Sequence, residues 1–424
     1  MRVFMLGWEF PPFISGGLGT ACYGLTKALD QLGIGVTFVL PRMVDSQYAT
    51  HVKLLCPGSK QSPEYVKGLK NVKFCTVSSP LQPYTTSDSY QRIVEEILRR
   101  KQKGGAGGSD IGGLNYCGDM YSEVHRYAAM AAQLAEGEDF DVIHAHDWMT
   151  FPAGITVATL SGKPLIVHIH STEFDRSGEH VNQMVYDIER KGMHLADRVV
   201  AVSNYTRNII IERYGVSPDK VDVVHNGSEN NGNGGWVPGD VDIKKDEKIV
   251  LFMGRITMQK GPEYFLMAAK KVLEVMDNVK FVMAGSGDLM RKSIEMAAGL
   301  GIGHKVLFTG FLQGEAVQRI YRMADLFVMP SVSEPFGLVP LEALQNDVPV
   351  IISKQSGVSE VLMHALKVDF WDVNEIANKI VAVLKYPPLE TTLRNYGNFE
   401  VRKLRWKDAA AKCAKIYADM LIPV

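Results

Sequence analysis

Short apolar runs and helical stripes alternate along most of this chain. Residues 2–6 predict a strand, and residues 20–32 a helix with Ala21, Leu25, Ala28, Leu29 and Leu32 on one face. Gly33 stops that helix. Further strands are predicted at 36–40, 72–77, 142–145, 165–168 and 199–202, with Ser203 and Asn204 as caps for the helix that follows. After His225-Asn226-Gly227 the chain turns polar and glycine-rich through Gly235, a composition that predicts a flexible linker. The alternation then restarts. A strand at 249–253 precedes a helix with Phe265, Ala269, Val272 and Met276 in line, and strands follow at 280–284, 306–309, 326–329 and 350–352, each trailed by a helical pattern. Such alternation builds doubly wound parallel sheets, α/β in class, and here it occurs twice. The expected domains are residues 1–228 and 229–406. A last helix, about 407–424, carries Ala410, Cys413, Ala414, Tyr417 and Leu421 on one side, a surface suited to packing back on the first domain.

Composition narrows the partners. A length of 424 residues exceeds one ordinary core. The chain is 46% hydrophobic and 22% charged with a formal net charge of −1, which gives no support to a nucleic-acid role or to broad electrostatic attachment to membranes. Its five cysteines are scattered without C-x-x-C spacing, as expected of reduced thiols in a cytoplasmic protein rather than a disulfide frame or zinc site. The apolar start, Met1 to Gly7, is too short for a signal sequence, and no uninterrupted apolar run is long enough for an integral membrane segment.

The chemistry-bearing motifs follow strands, where open α/β sheets bind ligands, and two such domains facing each other would make a cleft. In Ser333-Glu334-Pro335-Phe336-Gly337-Leu338-Val339-Pro340-Leu341-Glu342, two carboxylates stand eight positions apart around the start of a helix. Helix-start amides attract phosphate and carboxylates accept hydrogen bonds from sugar hydroxyls; two solvated acids on a surface loop would read the same way. Ser15-Gly16-Gly17-Leu18-Gly19-Thr20 leads into the first helix and would let backbone approach an anion, but fits neither the dinucleotide fingerprint nor the P-loop. A plain strand-to-helix turn is the other reading.

His144-Ala145-His146-Asp147-Trp148 follows a strand, and the two histidines share a face if the strand continues. The metallo-hydrolase pattern H-x-H-x-D-H is broken by Trp148 and Met149, so no metal is expected, and a structural histidine competes with a functional one. His168-Ile169-His170 carries the same ambiguity. Gly254 to Gly261 places Arg255 and Lys260 on one short loop, cations suited to a diphosphate gaining charge as it departs. Gly285-Ser286-Gly287-Asp288 lines a cleft or simply turns the chain. Asp139-Phe140-Asp141 spells D-x-D but precedes its strand, at the wrong end for a site. The glycine-rich stretch 103–113 has no strand before it and reads as a surface loop.

Taken together and in order, these motifs resemble the retaining glycosyltransferases of the GT-B fold, in the glycogen/starch synthase-like part of family four. His170 to Phe174 and Val202 to Thr206 are also similar to the glycogen synthase branch. The resemblance implies two Rossmann-like domains facing a cleft. It implies that Gly16, Gly17, Leu18 and Gly19 face the donor diphosphate and that His146 contacts the transferred sugar. Arg255 and Lys260 would clamp the diphosphate, Glu334 would hold sugar hydroxyls, and Glu342 would bind the ribose. Gly337, Leu338 and Val339 would offer backbone to the phosphate, with Gly285 lining the donor site. No metal and no cofactor beyond the nucleotide-sugar donor is implied, and the acceptor would be a glucan or another carbohydrate. Such enzymes are thought to work by a front-face mechanism, in which the leaving phosphate helps deprotonate the acceptor.

The expected reaction is transfer of glucose from UDP- or ADP-glucose to the non-reducing end of an α-1,4-glucan. Alternatives are another donor such as GDP-mannose, a sugar-nucleotide epimerase of the same fold, and a non-catalytic relative. Three positions depart from the family: Ser228 and Glu229 after His225-Asn226-Gly227, Ser356-Gly357-Val358-Ser359-Glu360 where Gly-Gly-x-Pro-Glu is common, and a shortened strand within 365–370.

Overall fold

The structure, a computed structural model, describes residues 1–10, 16–42, 71–78, 120–228 and 247–422. Ser15, the stretch 103–113, the predicted linker after Ser228, Cys56 and Cys117 lie outside the described residues.

Two parallel sheets carry the chain. The first holds β1 (Arg2–Leu6), β2 (Gly35–Arg42), β3 (Val72–Ser78), β4 (Val142–His146), β5 (Leu165–Ile169), β6 (Arg198–Ala201) and β7 (Val221–Val223) in the order β3-β2-β1-β4-β5-β6-β7. The second holds β8 (Lys248–Met253), β9 (Val279–Ala284), β10 (Val306–Gly310), β11 (Leu326–Met329), β12 (Val350–Ser353) and β13 (Leu366–Val368) in the order β10-β9-β8-β11-β12-β13. Apart from the added edge strand β7, the two orders are the same. Each doubly wound sheet reverses direction between its first and fourth strands, β1/β4 and β8/β11. Helices cover both faces, so β4, β5, β11 and β12 are buried at every position, which is why they read as continuous apolar runs rather than alternating ones.

The first helix, α1 (Gly17–Gln31), begins three residues earlier than its apolar stripe suggests. Gly17 and Gly19 therefore form its first turn. No cap side chain holds that turn from Gly16; instead the buried Glu9 reaches up, its Oε2 accepting from the amide of Gly19 at 2.8 Å. The last helix, α13 in order among the described residues (Trp406–Leu421), closes the first core: Trp406, Ala409, Ala410, Cys413 and Tyr417 are buried among β1, α1 and β4 residues. Leu421, expected on that apolar side, is exposed. Gly24 makes the docking of α13 on α1 possible, since a Cβ there would come within 2.2 Å of the Trp406 ring.

Candidate active site

Both sheets place their motifs at the strand ends flanking the reversal of order, the position where ligands bind in open α/β sheets. In the second sheet β8 feeds Gly254 to Gly261, and β11 feeds Ser331 to Gly337. In the first, β1 leads toward α1 and β4 ends on His146.

The second-sheet half is assembled by close backbone approach. Gly285 has φ 139°, and a Cβ there would sit 1.8 Å from the carbonyl oxygen of Gly254, so no other residue fits without displacing the loop. Gly261, at φ 64°, ends the short turn Met258–Lys260. That turn directs Lys260 at Glu334, with Nζ 2.5 Å from Oε2 and both side chains largely buried. Ser331 Oγ donates to the same oxygen at 3.3 Å. Arg255 lies on the same loop and donates to Gln259 Oε1 at 3.3 Å. Gly337, at φ 103°, starts the helix Leu338–Gln345, and no side chain caps it. The first turn of that helix carries no acidic residue and no side-chain cap bond, whereas the first turn of α1 is met by Glu9. Glu342 stands one turn inside the helix and accepts from Tyr321 Oη at 2.9 Å. Burial pushes its carboxyl up to about 7, against the hydrogen bond from Tyr321.

On the first-sheet side, Gly17 faces Leu338: a Cβ at Gly17 would lie 3.8 Å from Leu338 Cδ1. Leu338 packs against both cores, so the glycine turn and the second-half helix start adjoin. His146 is fully buried and bonds His170, Nδ1 to Nε2, at 2.9 Å. Asp147 beside it adopts φ 59°, a backbone region disfavoured for residues other than glycine. Its Oδ1 accepts from the amides of His170 and Ser171 at 2.7 and 3.4 Å. Burial lifts the Asp147 carboxyl to about 7 despite those amides. Burial also lowers His144 and His170 to about 3 and holds His146 and His168 well below the usual histidine value, so all four rings are neutral.

Asp139 and Asp141 are at the opposite end of the sheet. Asp139 pairs with the Arg2 side chain at 2.6 Å, and Asp141 accepts from the Arg2 amide at 2.8 Å; they tie β1 to β4.

Several cross-half contacts were not foreseen. Ser333 Oγ donates to the buried Asp175 Oδ1 at 2.5 Å and meets Tyr205 Oη at 3.0 Å. Ser203 Oγ donates to the Pro335 carbonyl at 2.6 Å. Glu360 accepts from the amides of Asn204 and Tyr205 and pairs with His225 at 3.0 Å. Burial opposes ionisation of Glu360, but these bonds outweigh it and hold the carboxyl below its usual value. Gly357 lies against Ser203, where a Cβ would approach Ser203 Oγ to 2.7 Å. Glu9 and Tyr321 were likewise missed: each is a lone polar residue whose partner, the Gly19 amide or Glu342, is set by the fold.

Two Rossmann-like sheets meet at their reversal points, the first with a glycine turn and His146, the second with Arg255, Lys260, Glu334 and Glu342; this is the architecture of the GT-B class of glycosyltransferases. The sequence matches the family description "Glycosyl transferases group 1" over residues 238–398 and "Glycosyltransferase Family 4" over residues 112–229. The chain belongs to this family of GT-B glycosyltransferases. It is 30% identical over 375 residues to an uncharacterised glycosyltransferase of Methanocaldococcus jannaschii, covering 86% of this chain and 83% of that one. It is 24% identical over 371 residues to a glycogen synthase of Mycobacterium tuberculosis, covering 86% and 80%. Sucrose-phosphate synthase from Thermosynechococcus elongatus shares the fold with a TM-score of 0.70 at 19% identity, over 99% of this chain and 98% of that one. Among the described residues no helix is long and apolar enough to cross a membrane.

Proposed function

We propose that this glycosyltransferase is a retaining hexosyltransferase that moves glucose from UDP- or ADP-glucose to the non-reducing end of an α-1,4-glucan. The observation that carries the reading is the Lys260–Glu334 pair, buried beside the uncapped helix start at Leu338. A donor diphosphate brought there meets the ammonium of Lys260 and the amides of Leu338 and Val339. The phosphate displaces Glu334 from Lys260, and the released carboxylate turns to the sugar hydroxyls. Arg255 supplies the second cation. Glu342, one turn along the helix, accepts from the ribose hydroxyls. Charge accumulating on the leaving diphosphate is stabilised by groups already in place, the term that dominates many such reactions. His146, held by His170, meets the transferred sugar from the first sheet. No residue is assigned as a nucleophile: the leaving phosphate takes the acceptor proton. No metal is assigned to this step, since Arg255 and Lys260 supply the positive charge.

The glycogen synthase of M. tuberculosis supports the glucan reading. The test is nucleotide release from a panel of UDP-, ADP- and GDP-sugars, with and without glycogen. Glycogen-dependent release of UDP or ADP is expected. Release from GDP-mannose alone would replace the donor and acceptor assignment, and sugar interconversion without release would replace transfer by epimerisation.

A further inference from the structure

The proposed transfer uses one nitrogen of one histidine, yet four histidines are gathered under it. His144 and His146 alternate on β4, and His168 and His170 alternate at the end of β5. The strands pair in parallel with His146 opposite His168, so all four rings lie on one face of the sheet. Neighbouring ring centroids are 4.3–5.2 Å apart. His144 Nδ1 meets Tyr417 Oη at 2.6 Å, and His144 Nε2 meets His168 Nδ1 at 3.2 Å. After these bonds and the His146–His170 bond, Nε2 of His146 and Nε2 of His168 are buried with no hydrogen-bond partner among the described residues. Buried polar atoms left in that state call for an explanation. Cys22, buried on α1, adds a sulfur. The ligand atoms of His144, His146 and His168 lie within 4.8 Å of one another, and so do those of Cys22, His146 and His170.

We propose that this stack binds one divalent transition-metal ion of the zinc class, through His144, His146 and His168, with Cys22 and His170 as a second donor set sharing His146. The donor chemistry sets the choice. Imidazole nitrogen with thiolate sulfur suits zinc and cobalt, whereas magnesium and calcium require oxygen. The neighbouring carboxylate of Asp147 is turned away to the amides of His170 and Ser171. A His-x-His strand beside a strand contributing a third histidine supplies three nitrogens from rigid elements. Tyr417 holds the outer nitrogen of His144, the role that hydrogen-bond partners of metal-bound histidines play. The three rings stack within 17–30° of parallel, so binding must rotate them until their in-plane lone pairs converge; tetrahedral coordination then brings the nitrogens to about 3.3 Å apart and breaks the His144–His168 bond.

The test is equilibrium dialysis of chelator-treated, full-length protein against Zn(II) and Co(II), with metal analysis and the visible spectrum of the cobalt form. One equivalent of metal and a four-coordinate cobalt spectrum are expected in the wild type, together with a rise in Tm. His144→Gln and His168→Gln are expected to lose at least tenfold in affinity, while His180→Gln, on the exposed surface, binds as the wild type does. Should the glutamine variants not fold, Tyr417→Phe replaces them, with a loss of about 10–100-fold in affinity. A wild type that takes up no metal overturns the proposal, as does metal uptake unchanged by all of these substitutions. Both readouts are independent of turnover, so they stand whether or not glucose transfer is found.

Discussion

Lys260 and Glu334 neutralise one another, so removing the lysine leaves a buried carboxylate without its cation and, on the proposed reading, a diphosphate without its clamp. Lys260→Ala is expected to lower turnover by about 10²–10³, the usual cost of one charge-stabilising donor, with an unchanged circular dichroism spectrum; steady-state kinetics on the purified variant checks it. Glu342 makes two opposite pH predictions. Burial holds its carboxyl at about 7 in the folded protein, above the ordinary 4.5. Its contribution to stability is therefore fully present below about 4.5 and is lost as pH rises through 7. On the proposed reading donor affinity runs the other way, because the ionised Glu342 carboxylate is the better acceptor for the ribose hydroxyls. Between pH 5 and 8 Tm and donor KM should therefore both fall as pH rises, the first from lost stability and the second from tighter binding, and Glu342→Gln should flatten both. The sequence marked Lys260, Glu334 and Glu342 because each follows a strand and sits beside glycine or a helix start. It could not mark Glu9, Tyr321 or Asp175, because their importance comes from partners elsewhere in the chain: the Gly19 amide, Glu342 and Ser333.

At the scale of elements, hydrophobic period served the strands well. Leu326–Met329 stands where the apolar run placed it. It served edges and starts poorly. β7, at Val221–Val223, spans only three residues with Asp222 in the middle, too little to register as a period. α1 starts on glycines, which carry no apolar signal, because Glu9 meets its first turn from outside. The histidine stack shows the same boundary: each His-x-His was visible alone, but the register that sets one beside the other belongs to the pairing of β4 with β5. Where backbone meets backbone the consequence is sharp. Gly285→Ala should destabilise the protein by about 1–3 kcal/mol from its backbone conformation alone, with more from the clash against Gly254. Denaturant melts would show the lost stability, and donor titration a weakened site, since Gly254 opens the loop that carries Arg255 and Lys260.

Among the described residues, the halves meet through Leu338, which packs against both cores, and through a small set of polar bonds. Glu360 is the most connected of them, reaching Asn204, Tyr205 and His225 from the turn that departs from the family pattern. Glu360→Gln keeps the shape but weakens those bonds. It is expected to enlarge the radius of gyration of the ligand-free protein in small-angle scattering and to raise donor KM several-fold, with little change in Tm because neither core is touched.

The docking of α13 on α1 has a consequence for how the polypeptide can be divided. Whatever is translated up to the polar stretch after Ser228 lacks the strip that seals it, since Trp406, Cys413 and Tyr417 arrive last. A severed N-terminal piece expressed by itself should therefore aggregate. Co-expressed with the remainder, it should be rescued as a soluble heterodimer, because the second piece brings the missing lid with it.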